Sequence, residues 1–251
     1  MIRKILLICL IPLALLAAFA HPDEQASETR DVAPFTTVSV GQSISVVLKP
    51  GPEPKVVVNT GGKAEPQDVS TEVSGNRLRV AMAHNVNGRA YIEVIVYYQQ
   101  LEEVKASSSS EVAGASVIHA TDFMVDVSSS AKISVQLDVE SLRVDASSSG
   151  DAIISVKAKQ IFAEASSSGS ISIDGRTDKL VVDTSSGADF HGYGLETEEA
   201  TLESSSGSGI EVTVNERLGA EASSGASIRY RGHPEHKYVK ERSGGSIQSR
   251  N

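Results

Sequence analysis

The chain has 251 residues, a formal charge of −9, one cysteine and no tryptophan. A net negative surface disfavours nucleic acid and anionic lipid as partners, and the single Cys9 leaves no intramolecular disulfide and no multi-thiolate metal site to stiffen the fold. With aromatics at 4% and Val and Ile recurring throughout, the core of a chain this long has to be aliphatic.

Residues 1–20, MIRKILLICLIPLALLAAFA, carry cations at Arg3 and Lys4, an apolar stretch from Ile5 to Leu16 and a small-x-small end at Ala18-Phe19-Ala20. That order specifies a secretory signal peptide cleaved before His21. A retained membrane helix is the competing reading, but Pro12 interrupts the run and the polar HPDEQASETR comes directly after it. Cys9 as a lipid anchor would leave almost no hydrophobic segment ahead of it. No other stretch reaches the ~18 apolar residues of a membrane span. Removal of the peptide leaves 21 lysines and arginines against 32 acids, a charge of −11, and residues 21–34 read as a linker.

Residues 35–100 contain short alternating runs: VSVGQSISVVL at 38–48, KVVV at 55–58, RLRVAM at 77–82 and YIEVIVYY at 91–98. The turn signals KPGPEP, NTGGK and VSGN separate them, so these are strands. They predict an N-terminal β segment that caps the remainder of the chain.

From 101 to 251 the sequence repeats. Serine clusters occur in KASSSSEV, DVSSSAKI, DASSSGDAI, EASSSGSISI, DTSSGADF, ESSSGSGI, EASSGASI and ERSGGSI. Their first serines fall at 107, 128, 147, 166, 185, 205, 223 and 243, with steps of 21, 19, 19, 19, 20, 18 and 20. A serine-rich linker would lack apolar periodicity, whereas here Leu142, Val144 and Ala146 alternate with Arg143 and Asp145, and Ile133, Val135 and Leu137 come after the preceding cluster. Each repeat reads as strand, serine turn, strand. Nineteen residues cannot bury an apolar face alone, but stacked copies can. The expected fold is all-β: a parallel β-helix or β-roll solenoid of ~19-residue rungs with an N-terminal β cap. RGHPEHKYVKER breaks the pattern near the end, as terminal repeats do.

Superposed rungs give two inward columns: Phe123, Leu142, Ile161, Leu180 and Leu218, then Val104, Val125, Val144, Val182 and Leu202. Continuing the alternation turns the middle serines Ser108, Ser129, Ser148, Ser167, Ser186, Ser206 and Ser224 inward and leaves Ser147 and Ser149 in solvent. Gly150, Gly169, Gly187, Gly207 and Gly225 come after the clusters, where a turn calls for positive φ. The acids Asp126, Asp145, Glu164, Asp183, Glu203 and Glu221 fall in one outward file, one carboxylate per rung. Such a file either forms a solvated edge that limits lateral aggregation or binds calcium or a basic partner surface.

A signal peptide, a segment like APFTTVSVGQSISVVLKPGPEPKVVV, an element like AYIEVIVYYQQLEEVKASSSSEV and the repeated V-D/E-x-S-S-S/G-G units together resemble the bacterial GIN-domain family, labelled as an autotransporter adhesin head. The resemblance covers about residues 32–249. It implies a β-helical fold in a cell-envelope or extracellular setting, and it supplies no catalytic residues. The usual family unit is closer to S-G-S-G-D/S; here the first glycine is mostly serine, as in SSSG at 147–150 and 166–169.

No G-x-S-x-G elbow occurs and none of the six histidines has triad context. His233-Pro234-Glu235-His236 is a weak metal pattern. A β-helical polysaccharide lyase or hydrolase is the enzymatic alternative, but its carboxylates would be particular to a cleft, whereas these acids recur in every rung. Ice or crystal-surface binding through outward serines is a third reading, in which threonine would be expected. The favoured expectation is an exported structural or adhesive envelope module without catalysis or resident cofactor, meeting a cell-surface, glycan or matrix partner, with no nucleic acid and with oligomerisation open.

Overall fold

A computed structural model describes residues 25–251. The signal-peptide reading, its cleavage before His21 and Cys9 lie outside the described residues. In chain order the elements are β1 (Ala26–Asp31), β2 (Thr37–Val40), β3 (Ser45–Pro50), β4 (Lys55–Gly62), one 3-10 turn (Pro66–Asp68), β5 (Val69–Ser74), β6 (Arg77–Met82), β7 (Ala90–Tyr98) and β8 (Glu103–Ala106). The repeats continue as β9 (Glu111–Val127), β10 (Lys132–Ala146), β11 (Asp151–Ala165), β12 (Ser170–Thr184), β13 (Asp189–Ser204) and β14 (Gly209–Ala222). The last are β15 (Ser227–Arg231), β16 (His236–Glu241) and β17 (Ser246–Ser249).

Strands β9 to β14 each run from one serine turn to the next and pair in parallel with the strands before and after. This is the β-solenoid that the period requires. Register puts like on like: Phe123, Leu142, Ile161, Leu180, Ala200 and Leu218 form one continuous column, and Val104, Val125, Val144, Ala163, Val182, Leu202 and Ala220 the next. All are buried, so both inward columns stand as expected. Partway along β10 to β13 the alternation slips by one, and in β14 three exposed residues, Asn215 to Arg217, stand at the same place. Buried residues fall three apart, at Val139 and Leu142, Ala158 and Ile161, Thr177 and Leu180, and Thr197 and Ala200. That slip is a corner, and it divides every rung into a leading arm after the serine turn and a trailing arm before the next.

The serine turn corrects two expectations. The middle serines do not point inward: Ser108, Ser129, Ser148, Ser167, Ser186, Ser206 and Ser224 are exposed. Each cluster is a two-residue turn in which both central residues are left-handed, such as Ser148 at φ 50° and Ser149 at φ 61°, or Ser186 at φ 54° and Gly187 at φ 69°. Two successive left-handed residues reverse the chain, and alternation restarts at the fourth position. That position is the buried one, held by Ser110, Ala131, Gly150, Gly169, Ala188, Ser208 and Ala226. Ser147, expected in solvent, is half-buried.

The glycines also divide into two kinds. Gly187, Gly207 and Gly225 have positive φ as expected, but Gly150 and Gly169 do not. They are needed for space, since a Cβ would sit 2.5 Å from the carbonyl oxygens of Val127 and Ala146 respectively. Backbone hydrogen bonds continue through the turns, from Ser109 N to Ser129 O, Ser130 N to Ser148 O, Ser149 N to Ser167 O and onward to Gly207 N and Ser224 O. In the last rung the turn begins at Arg242, with Ser243 and Gly244 as its central pair, so the final step is one residue shorter than the serine count suggests.

The stack begins before the first serine cluster. β2 pairs in parallel with β8 and β3 with β9, joined by a turn whose central residues, Gln42 and Ser43, are left-handed. A rung therefore starts at Thr37, within the stretch that reads as a cap. On its outer side β6 and β7 stack in parallel, after which β5, β4 and β1 are antiparallel. Arg30 spans this end from β1, donating to Val69 O at 2.6 Å and to Pro66 O at 2.7 Å.

Candidate functional site: an acidic file beside a serine edge

The trailing arms carry the acids on their outer face, two residues before each turn. Cα pairing joins Asp126 to Asp145, Asp145 to Glu164, Glu164 to Asp183, Asp183 to Glu203 and Glu203 to Glu221. All six sequence-derived acids are thus brought into one file at the spacing of a parallel sheet, ~4.8 Å per rung. The same column continues to Lys105 at one end and Lys240 at the other. A cation closes each end of the carboxylate row. The KAS of the first cluster and the KER of the last hold the signal for this, because each places a lysine in the acid position.

Cations reach the acids both from within this column and from positions beside it. Lys105 binds Asp126 at 3.1 Å and Glu103 at 2.9 Å. Arg143 bridges two rungs, 3.2 Å from Asp145 and 2.9 Å from Glu164. Glu221 meets Lys240 at 2.9 Å and Arg242 at 3.5 Å. Among the described residues Asp183 and Glu203 have no ion pair, which leaves adjacent exposed carboxylates in the middle of the file.

Asp145 is the most constrained member. Burial pushes its carboxyl above the ordinary range, Arg143 opposes the shift through a hydrogen bond and its charge, and the charges of Glu164 and Asp126 reinforce it. Its Oδ1 is buried with no hydrogen-bond partner. Glu221 behaves oppositely, its pKa held down by the hydrogen bond from Lys240. Burial works against the Lys105 ammonium, but its bonds to Glu103 and Asp126 prevail and raise its pKa.

Beside this file run the exposed turn residues, with two serines per rung from Ser108 to Ser168 and a serine with a glycine from Ser186 to Gly225. One edge of the solenoid therefore repeats carboxylate and hydroxyl at a single spacing. Inside the turns of the later rungs, Thr184, Ser204 and Ser208 are buried and lie 2.8–3.0 Å from one another. Ser208 also contacts the carbonyls of Thr184 and Ser205 at 2.9 and 2.7 Å. This cluster holds the turn from within and does not reach the surface. His233 and His236 are separated by the chain's course: His233 lies against Asn251, whereas His236 pairs with Arg217 in the sheet. At the first corner an open groove of about 710 Å³ is lined by Glu102, His119, Asp122, Phe123 and Arg143 among others.

Stacked rungs, a shared turn and repeated outer columns define a β-solenoid repeat protein. Residues 34–161 and 142–234 match the family described as "Putative auto-transporter adhesin, head GIN domain", and the chain belongs to that family. No curated protein matches the sequence. Among solved structures, one described as a "putative adhesin" from Parabacteroides merdae ATCC 43184 is similar at TM-score 0.84 and 15% identity, covering 91% of this chain and 97% of that one. One from Parabacteroides distasonis ATCC 8503, described likewise, has TM-score 0.84 and 19% identity over 91% and 98% of the two chains. A third, described as a "Putative lipid binding protein" of the same P. distasonis strain, has TM-score 0.80 and 16% identity over 90% and 97%. At these identities the likeness is one of fold.

Proposed function

We propose that the protein is exported and acts as a non-catalytic structural or adhesive module of the cell envelope, offering one long edge to a repetitive cell-surface, glycan or matrix partner. The observation that carries this reading is the shared register of the acid file and the turn serines, because a surface that repeats every rung suits a partner that repeats as well. Each contact can be weak while many engaged together hold firmly. Membership of a family named for adhesion and the signal-peptide pattern of residues 1–20 support the same reading.

Attachment runs through divalent cations held by the unpaired centre of the file, Asp183 and Glu203, with oxygen ligands completed by the partner. Calcium titration of the purified protein, read by thermal melting and by retention on glycan and matrix-protein arrays, tests it. Calcium is expected to raise the melting temperature and the retention together, and the pair Asp183→Asn and Glu203→Gln to remove both responses. Retention that ignores calcium would discard the cation route; no retention on any array would discard the adhesive reading.

A further inference from the structure

The two ends of the solenoid match in layout and oppose in charge. At the C-terminal end β16 is the last strand of the trailing-arm sheet and β17 the last of the leading-arm sheet, joined by the turn at Arg242–Gly245. At the N-terminal end the trailing-arm sheet finishes on β5, through β6 and β2. The leading-arm sheet finishes on β1, through β4, β7 and β3. Each end thus presents one short strand per arm, and each strand has an outer edge with no neighbour among the described residues. Arg30 ties β1 to the start of β5, so the N-terminal pair forms one platform.

Unpaired edges of this kind are templates for further pairing unless something blocks them. Among the described residues neither apolar burial nor a cap blocks the C-terminal one. Val239 continues the inward valine column yet is 50% exposed, with no rung over it among the described residues, and its neighbour Tyr238 is 68% exposed.

Charge specifies what fits. Residues 227–251 hold six lysines and arginines (Arg229, Arg231, Lys237, Lys240, Arg242, Arg250) against Glu235 and Glu241. The outer layer of the other end, β1 with residues 65–74, holds Glu28, Asp31, Glu65, Asp68 and Glu72 against Arg30. In a protein of charge −9 the C-terminal end is a local exception. Its complement is on the same molecule.

We propose that copies of this chain associate head to tail, the basic β16–β17 end of one seated on the acidic β1–β5 end of the next. Strand directions are compatible with sheet continuation across the joint. β17 and β1 run the same way and would pair in parallel, while β16 and β5 run oppositely and would pair antiparallel. Two-fold pairings are disfavoured, since they would press basic end on basic end or acidic on acidic. A head-to-tail contact leaves a free end of each kind, so growth continues into a filament and does not close at two copies. The filament would carry the acid file and serine edge over many chains, independently of what that edge binds.

Sedimentation velocity of the purified protein in ~0.1 M and ~1 M sodium chloride tests the proposal, since screening shortens from about 10 to about 3 Å between them. The expected result is a series of species larger than two copies that grows with concentration at low salt and collapses to monomer at high salt. Arg231→Glu, Lys237→Glu and Arg250→Glu together reverse one end, and Asp31→Lys, Glu65→Lys and Glu72→Lys the other. None of these six residues has an ion pair among the described residues, and melting curves would verify that both variants fold. Each variant alone should stay monomeric, and an equimolar mixture should recover assembly, because reversed ends complement one another. A protein that is monomeric at low salt, a particle that stops at two copies, assembly indifferent to either reversal, or a mixture that stays monomeric would each overturn the proposal.

Discussion

The four serine turns between Ser107 and Gly169 and the four between Ser185 and Gly245 trace nearly the same backbone with different residues. In the earlier set both left-handed positions are serines, and the position facing the core before the turn is Ala106, Val127, Ala146 or Ala165. In the later set glycine takes the second left-handed position, at Gly187, Gly207, Gly225 and Gly244. Thr184 and Ser204 there replace the small apolar residues with a buried hydroxyl cluster closed by Ser208. An L-residue in the left-handed region costs roughly 1–2 kcal/mol, so the early turns hold more backbone strain. What keeps them in the same shape is the stack, since each turn's amide and carbonyl are engaged by the rungs on either side. The turn is a property of the solenoid more than of its four residues.

If the two halves differ only at the turns, core substitutions should be equally severe in both. Val144→Asp and Val182→Asp each place an unpaired carboxylate in the same fully buried column and should cost several kcal/mol apiece. Arg143→Asp, on the outer face one residue away, should cost well below that despite losing its bridge to Asp145 and Glu164. Urea unfolding with a common m-value compares them, and a large gap between the two valines would break the equivalence of the halves.

The glycines sharpen the contrast. Gly169→Ala drives a Cβ against the Ala146 carbonyl and should cost about 1–3 kcal/mol. Ala188→Gly, at the same turn position in the next rung, only loosens the chain and should cost no more than about 1 kcal/mol. Thermal melts of the two variants settle the order, and a reversed order would mean that the turn at Gly169 is not tight.

A smaller effect of opposite sign belongs to the left-handed serines. Ser149→Gly makes an early turn resemble a late one and should stabilise by up to about 1 kcal/mol, while Gly187→Ser should destabilise by a similar amount. A Ser149→Gly variant less stable than the parent would show that the serine hydroxyl contributes more to the turn than its backbone costs.

Much of the architecture is legible in the sequence because period-two alternation and a repeat near nineteen are consequences of strand geometry and stacking. They locate Leu142, Val144 and their column without a structure. Alternation also turns the middle serines the wrong way: it propagates through extended chain and fails where two successive residues are left-handed, and nothing in SSSG as against SSGA marks which glycine has positive φ. The corner at Glu140–Ser141 is hidden for a similar reason, being a slip of one residue inside an unbroken strand. The rung at Thr37–Pro50 carries no serine cluster, since Gln42 and Ser43 make the turn there. The acid file can be read from spacing alone, but the bracing by Arg143 and the exposed pair Asp183 and Glu203 depend on how side chains reach across rungs.

Within that file the halves differ once more, and the difference is readable by pH. Burial raises the pKa of Asp145 against the opposing influence of Arg143. For an acid whose folded pKa is raised, the folded state holds its proton to higher pH than the unfolded chain does. Ionisation therefore subtracts stability as pH rises from the ordinary Asp value, about 3.9, through the raised one, and the loss is complete above it. Asp145→Asn abolishes that loss and relieves the unpartnered Oδ1 of its charge. At pH 7 the variant should be more stable than the parent by less than about 1 kcal/mol, because the carboxylate is partly solvated and Arg143 is freed. On titration below the ordinary Asp pKa the advantage should vanish, since both folded and unfolded parent then hold the proton. Asp183→Asn removes the same charge from the same column at an exposed position and should gain less at pH 7. Melting temperatures of the three proteins across pH 3–8 would decide it: an Asp145→Asn advantage that persists unchanged at pH 3 would assign the effect to packing, and equal gains from the two variants would reduce the file to uniform repulsion along its length.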